Sequence, residues 1–353
     1  MPSPTPPPDR AAPVTLRDIA RSIGLSHTTV SLGLRNDPSI PAATRERVRA
    51  AADRLGYRSN VLVSTLMTQV RRKHRGSAPE VVAFLTGGAS AHEWEHHSAC
   101  VGVFAGAREQ APKLGMRVEP FWLGAGGSSS AATCRVLAAR AIRGVLIAPF
   151  PVPVYSHELD WPRLICVGVG YVFKDHPLHR ATHNHFHGAY TAYENLFRLG
   201  YRRIGLALET TQNSRVGYNW LGGFLAARAM LGGAALEPWL AAEAGDVAAF
   251  KAWRRRQRPD AVIGFGPQQF LTITRSGGRI PEDLAFASLD IGQMHLAEVS
   301  EPAGIDQNLP RIGSTAIDLL ATQLYHNEQG LPAHPVLSMI DGTWVPGHTA
   351  PPR

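Results

Sequence analysis

The chain has 353 residues, 44% of them hydrophobic and 18% charged, which excludes a wholly disordered polymer and suits two or three domains with their own cores. Its formal net charge of +8 is local: residues 1–76 hold 13 Lys/Arg against 5 Asp/Glu, whereas residues 77–353 hold 23 of each. A basic module joined to a neutral body points to a polyanionic partner and away from a uniformly basic surface.

In chain order, the first segment, MPSPTPPPDRAAP, is proline-rich and lacks the apolar core of a signal peptide, so residues 1–13 read as a disordered tail. Thr15 with Asp18 three positions later forms a capping pattern, and Leu16, Ile19, Ala20 and Ile23 follow at helical spacing up to Gly24. Ser26 can cap a second helix running to Leu34, with Val30 and Leu34 on its inner face. Asn36-Asp37-Pro38 breaks the chain. A third helix begins near Pro41 and runs to Leu55, with Val48, Ala51, Ala52 and Leu55 inward and Gly56-Tyr57 closing it. Three short helices with a tight first turn make a helix-turn-helix bundle, whose second helix enters the major groove of DNA by its N-terminal end. The hydroxyl-rich start of that helix, Ser26-His27-Thr28-Thr29, then faces bases and phosphates.

The run VTLRDIARSIGLSHTTVSLGLRNDPSIPAATRERVRAAADRLGY resembles, without a gap, the DNA-binding headpiece of the LacI/GalR family of bacterial transcription regulators. The resemblance implies that His27 and Thr28 read operator bases and that Ser26, Thr29, Ser31 and Asn36 mostly touch phosphates, with Thr15 and Leu16 also on the DNA side. Leu32 stands where many members carry a guanine-reading arginine. Leucine cannot make that bidentate contact and could at most meet a thymine methyl. The segment after Tyr57 resembles the family's hinge helix, which forms on the operator. Asn60 matches the residue before that helix, Val63 replaces a common alanine, and Leu66 matches the leucine that wedges into the minor groove. These matches imply a headpiece over residues 14–58 and a hinge and linker over 59–79.

From Glu80 onward, buried-strand runs alternate with helices. The strands are read at Val81–Thr86, Val118–Leu123, Val145–Pro149, Leu164–Val169, Arg203–Leu208, Ala261–Phe265 and Ala285–Leu289. The helices are read at Val101–Leu114, Ser128–Arg140, Gly188–Leu199 and Trp220–Leu231. Continuous apolar strands between helices imply parallel sheets covered on both faces, here two in tandem. The expected fold is therefore an all-α headpiece joined to an α/β body of two Rossmann-like lobes. That body, residues 80–353, resembles the type I periplasmic-binding-protein fold. Its N-lobe is expected at about 80–180 and 310–336, and its C-lobe at about 181–309 and 337–346. The segments carrying the match are RGVLIAP from Arg143, Asn184 to Gly188, LGYRRI from Leu199, Gly223-Phe224 and Ser288-Leu289-Asp290.

Ligands of such folds lie between the lobes near the carboxyl ends of strands. Carried over by position, the effector contacts are His92, Trp94, Phe150, Asn184, Trp220, Gln268, Asp290 and Gln307. Trp220 stands where an arginine is common, Asn184 replaces an aspartate, and Gly266-Pro267 replaces Asn-Asp. Aromatic rings stack on sugar faces, so a carbohydrate is one candidate effector. Asp290 has an equal reading as a helix cap.

The resemblance implies a homodimer on a near-palindromic operator, acting as a repressor tuned by a small molecule, with no catalytic residue, cofactor or metal site. Two rivals stand beside it. A ligand-independent DNA-bending regulator would keep the headpiece and leave the cleft vestigial. A metal-dependent hydrolase would use the His92-Glu93-Trp94-Glu95-His96 match to HExxH, which needs a helix that this loop-like context does not promise. Cys100, Cys134 and Cys166 are a poor disulfide framework, and no apolar run approaches the roughly 18–20 residues of a membrane span. The expected location is the cytoplasm, on the nucleoid.

Overall fold

The computed structural model describes residues 14–57, 79–124, 127–149, 159–173, 175–242 and 245–353. The tail, the hinge segment with Asn60, Val63 and Leu66, and Phe150 lie outside the described residues.

The N-terminal unit holds three helices, α1 (Leu16–Ile23), α2 (His27–Leu34) and α3 (Ala42–Leu55). The Asp18 carboxylate starts α1 by accepting from the Thr15 amide at 2.9 Å and from its hydroxyl at 2.6 Å. Gly24 ends α1 at φ 66°, a left-handed value that favours glycine. Ser26 then caps α2, its hydroxyl accepting from the Thr29 amide at 3.0 Å. Pro41 precedes α3 as its cap residue, one position earlier than a first helical turn. Ile19, Val30 and Val48, all with no exposed surface, join the three helices into one small core. Burial of these side chains, at roughly 1.5–3 kcal/mol each, carries most of the stability of helices too short to persist alone.

The body contains two six-stranded sheets. The first has the order β11-β5-β4-β3-β1-β2 and the second β12-β10-β9-β8-β6-β7. The first comprises β1 (Glu80–Thr86), β2 (Met116–Trp122), β3 (Gly144–Ile147), β4 (Ile165–Val169), β5 (His179–His183) and β11 (Leu337–Ile340). The second comprises β6 (Ile204–Glu209), β7 (Trp239–Ala241), β8 (Ala261–Gly264), β9 (Ala285–Ser288), β10 (Gly304–Asp306) and β12 (Thr343–Val345). All pairings are parallel except β10 with β12. Val82, Ala83, Phe84 and Leu85 of β1 are fully buried, as expected of a strand covered on both faces.

The chain passes between the sheets three times: after β5, after β10 and between β11 and β12. The lobe boundaries expected from sequence are corrected accordingly. Residues 181–183 and 337–340 belong to the first sheet, because β5 continues beside β4 and β11 adds to β5. β5 reads His-Arg-Ala-Thr-His, a polar string that no apolar pattern marks as a central strand.

Helices Ser98–Gln110 and Leu309–His326 meet backbone to backbone. A Cβ on Gly106 would lie 1.8 Å from the Pro310 carbonyl oxygen, so only glycine fits. Among the described residues no helix is long and apolar enough to cross a membrane, and all three cysteines are free thiols.

Candidate nucleic-acid interface and ligand cleft

At the start of α2, Ser26, His27 and Thr28 are exposed. The side chains of His27 and Thr28 make no hydrogen bond among the described residues. The other polar groups on this face are engaged internally. The Ser26 hydroxyl meets that of Thr29 at 2.8 Å, and Ser31 receives Arg35 Nη2 at 3.3 Å. Asn36, at φ 57°, accepts from Arg45 Nη1 at 2.9 Å. Thr15 is held by Asp18, while Leu16 packs on the headpiece core and Leu32 is half-buried. The free pair therefore sits at the positively polarised end of the helix, where donors and acceptors can meet base edges. The sequence alone did not single out Arg35 and Arg45, whose guanidinium groups brace this face.

The body holds a cleft of about 770 Å³. The N-lobe contributes Tyr171 and Phe173 from the connection after β4, with His97. The C-lobe contributes Glu209 and Arg215 from the two ends of helix Thr210–Arg215, Trp220 and Phe265. The Trp220 and Phe265 rings lie 4.6 Å apart at 33° and form an apolar wall. His183 and His185 line the cleft where the chain leaves β5. Their rings meet edge to face at 5.1 Å, and His185 meets Trp220 at the same distance.

Burial holds both imidazoles neutral. It lowers His183 to about 4 and His185 well below the ordinary histidine value. Burial also raises Glu209 and Asp290 above the usual carboxylate range, with Arg215 opposing both shifts. Arg215 itself is lowered by desolvation, against the pull of Asp290 and Glu209.

Of the residues assigned to the effector by position, Trp220, Asp290 and Gln307 line the cleft. Asp290 also caps its own helical turn, accepting from the Gly292 amide at 3.0 Å and from Gln293 Nε2 at 2.7 Å. Gln307 donates to the Leu289 carbonyl at 2.9 Å. His92, Trp94, Asn184 and Gln268 are not among the lining residues. His92 is exposed and bonded to Glu95 at 2.9 Å. Trp94 is buried against Phe84 and Phe104, with centroids at 5.8 and 5.0 Å, so it is a core residue. Asn184 caps helix His185–Arg198 and donates to Asp341 at 2.8 Å. The His92–His96 run spans a turn and a single 3₁₀ turn, Glu93–His96, and Glu93 is bonded to the Ala89 amide. Among the described residues no group of three His, Cys, Asp or Glu is placed to hold a metal.

Glu209, Arg215 and Tyr171 were not anticipated. One available signal was the arginine five residues before Trp220, which supplies a cation where the tryptophan had displaced one.

The description "Bacterial regulatory proteins, lacI family" matches residues 15–60, and "Periplasmic binding protein-like domain" matches residues 193–350. The lactose operon repressor of Escherichia coli (strain K12) is 23% identical over 331 residues, covering 87% of this chain and 84% of that protein. The HTH-type transcriptional regulator GalS of Salmonella typhimurium is 44% identical over 57 residues, 16% of this chain and 17% of that one. A solved structure, the transcriptional regulator CelR-cellobiose complex, shares the fold with a TM-score of 0.59 at 20% identity, covering 95% of this chain and 99% of its own. The N-terminal unit thus carries a helix-turn-helix domain that matches the lacI family of bacterial regulatory proteins, and the two-sheet body carries a periplasmic-binding-protein-like domain.

Proposed function

We propose that the protein is a DNA-binding transcriptional repressor that acts as a homodimer. His27 and Thr28 of α2 read operator bases, and a small molecule in the interlobe cleft tunes operator affinity. The observation that carries the first part is the pair of exposed, unengaged side chains at the N-terminus of α2, in the segment that matches the lacI family. The cleft supports the second part: it is walled by aromatics, carries charged groups of both signs and lies between two sheets joined by three crossings. Two headpieces on a two-fold axis would read a near-palindromic site. An effector that binds one lobe arrangement better than the other would shift the regulator between DNA-competent and released states.

The test is selection of genomic fragments by the full-length protein, followed by binding to the enriched site across a salt series. Affinity should fall by a log–log slope of roughly 0.9 per phosphate contact. His27→Ala and Thr28→Ala should each cost about 1–3 kcal/mol of discrimination between the selected site and random DNA. Variants that discriminate as well as the parent would remove α2 from the reading role.

A further inference from the structure

The hydrogen-bonding groups of the cleft divide into engaged and unengaged sets. Asp290 and Gln307 have their partners within the protein. The Arg215 guanidinium makes no hydrogen bond or ion pair among the described residues; its Cζ lies 6.0 Å from the centroid of the Phe265 ring. The indole N–H of Trp220, Nδ1 of His185 and Nε2 of His183 are buried and without a partner among the described residues; His183 donates through Nδ1 to the Ile340 carbonyl, which leaves its Nε2 an acceptor. Against these, Glu209 is the one cleft carboxylate with no hydrogen bond among the described residues. With five N–H donors on the Arg215 guanidinium and one on the Trp220 indole against Glu209 and His183 Nε2, free N–H donors outnumber the free acceptor groups.

A neutral polyol, whose every hydroxyl both donates and accepts, does not correct that imbalance. A ligand carrying an oxyanion does, because a carboxylate is acceptor-only and matches the planar guanidinium with two parallel bonds. Trp220 and Phe265 offer a face for the C–H surface of a sugar-like carbon chain. We propose that the cleft binds a small polyhydroxylated carboxylic acid, its carboxylate on Arg215 and its apolar face on Trp220 and Phe265. The proposal rests on reading the cleft as the effector site.

A monoanion is favoured over a phosphate dianion because Arg215 is a single cation with Glu209 and Asp290 in its electrostatic field. When the ligand carboxylate takes Arg215, Glu209 loses its opposing charge and gains a like one. It then takes up a proton and turns from a competitor into a donor. Other titratable groups lining the cleft are Asp290, whose oxygens are bonded to Gly292 and Gln293, the neutral imidazoles of His183 and His185, and the imidazoles of His96 and His97. Binding should therefore tighten as pH falls.

The experiment is calorimetry and thermal shift on the full-length protein with hexonates, hexuronates, the parent neutral hexoses and hexose phosphates, at about pH 6 and about pH 8. The expected result is at least one acid binding about tenfold or more tighter than its neutral parent, with the advantage greater at the lower pH. Arg215→Gln should remove the preference and Arg215→Lys should retain part of it. Glu209→Gln should strengthen acid binding and flatten its pH dependence. Neutral hexoses or phosphates binding as tightly, no binding by any acid, or an unchanged preference in folded Arg215→Gln would each overturn the proposal. Failure of the effector reading shows differently: an acid would bind through Arg215, yet operator affinity would not respond.

Discussion

The Tyr171 hydroxyl of the first lobe accepts from Asn219 Nδ2 of the second at 3.2 Å, and its ring packs against the hydrophobic core of that second lobe. One side chain thus bridges the cleft and belongs to both walls. Removing the hydroxyl should favour separation of the lobes by about 1 kcal/mol, the usual net worth of one such bond. For Tyr171→Phe, hydrogen exchange at the start of helix Asn219–Leu231 should quicken about fivefold, with the remaining sheet amides unaffected. An unchanged exchange pattern would show that the bond closes nothing.

Arg180 holds Tyr171 in place from behind. It is 9% exposed, and its guanidinium donates to the carbonyls of Gly170, Val172, Phe173 and His176, all in the connection that delivers Tyr171 and Phe173 to the cleft. Among the described residues it has no carboxylate partner. Arg180→Met would leave several buried carbonyls without donors and should cost about 2–3 kcal/mol. Urea unfolding measures that loss, and residues 170–176 should lose exchange protection first. A stability loss below about 0.5 kcal/mol would mean that water replaces the arginine at no penalty.

His183 gives the protein an acid-sensitive stability. Its folded pKa is lowered from 6.5 to about 4, by burial first of all. Between these values the unfolded chain binds the proton and the folded chain does not, so stability is lost as pH falls through that window. The shift corresponds to an order of 3 kcal/mol at its acid end. His183→Gln should flatten the melting temperature against pH between about 6.5 and 4. A parallel curve displaced downward would assign the sensitivity elsewhere, for instance to His185.

Ser26→Ala removes the acceptor of the Thr29 amide and should destabilise α2 by about 1 kcal/mol. Exchange of the α2 amides reports it directly, and operator affinity should fall in step because the reading helix is then less often formed. Equal protection in the variant would mean that another group caps the helix.

The headpiece was legible because its signals are local. Thr15, Gly24, Ser26 and Gly56 each mark a helix end by a side-chain bond or a left-handed turn that the residue type itself requires. The central strands β1, β3, β4, β6, β8 and β9 were legible from their apolar runs. β5 was not, because His179, Arg180 and His183 are buried by bonds to distant backbone groups, among them Val336 N and Ile340 O. β11 was missed for the opposite reason: as an edge strand it exposes Leu337 and Met339. In the cleft, Trp220, Asp290 and Gln307 were reached by position through the family resemblance. Trp94 did not behave as a loop aromatic, since Phe84 and Phe104 hold it in the core. Arg215 and Tyr171 reach the cleft from a six-residue helix and a connection, where no periodicity marks which way a side chain points.

The threefold passage of the backbone between the sheets has a consequence for biosynthesis. The outermost members β11 and β12 come last in both sheets, so neither lobe can complete its hydrogen-bond ladder until residues 337–345 have been translated. A nascent chain stalled before that point would carry the open backbone edges of β5 and β10 on two unfinished lobes, and maturation of the pair is tied to a single late event.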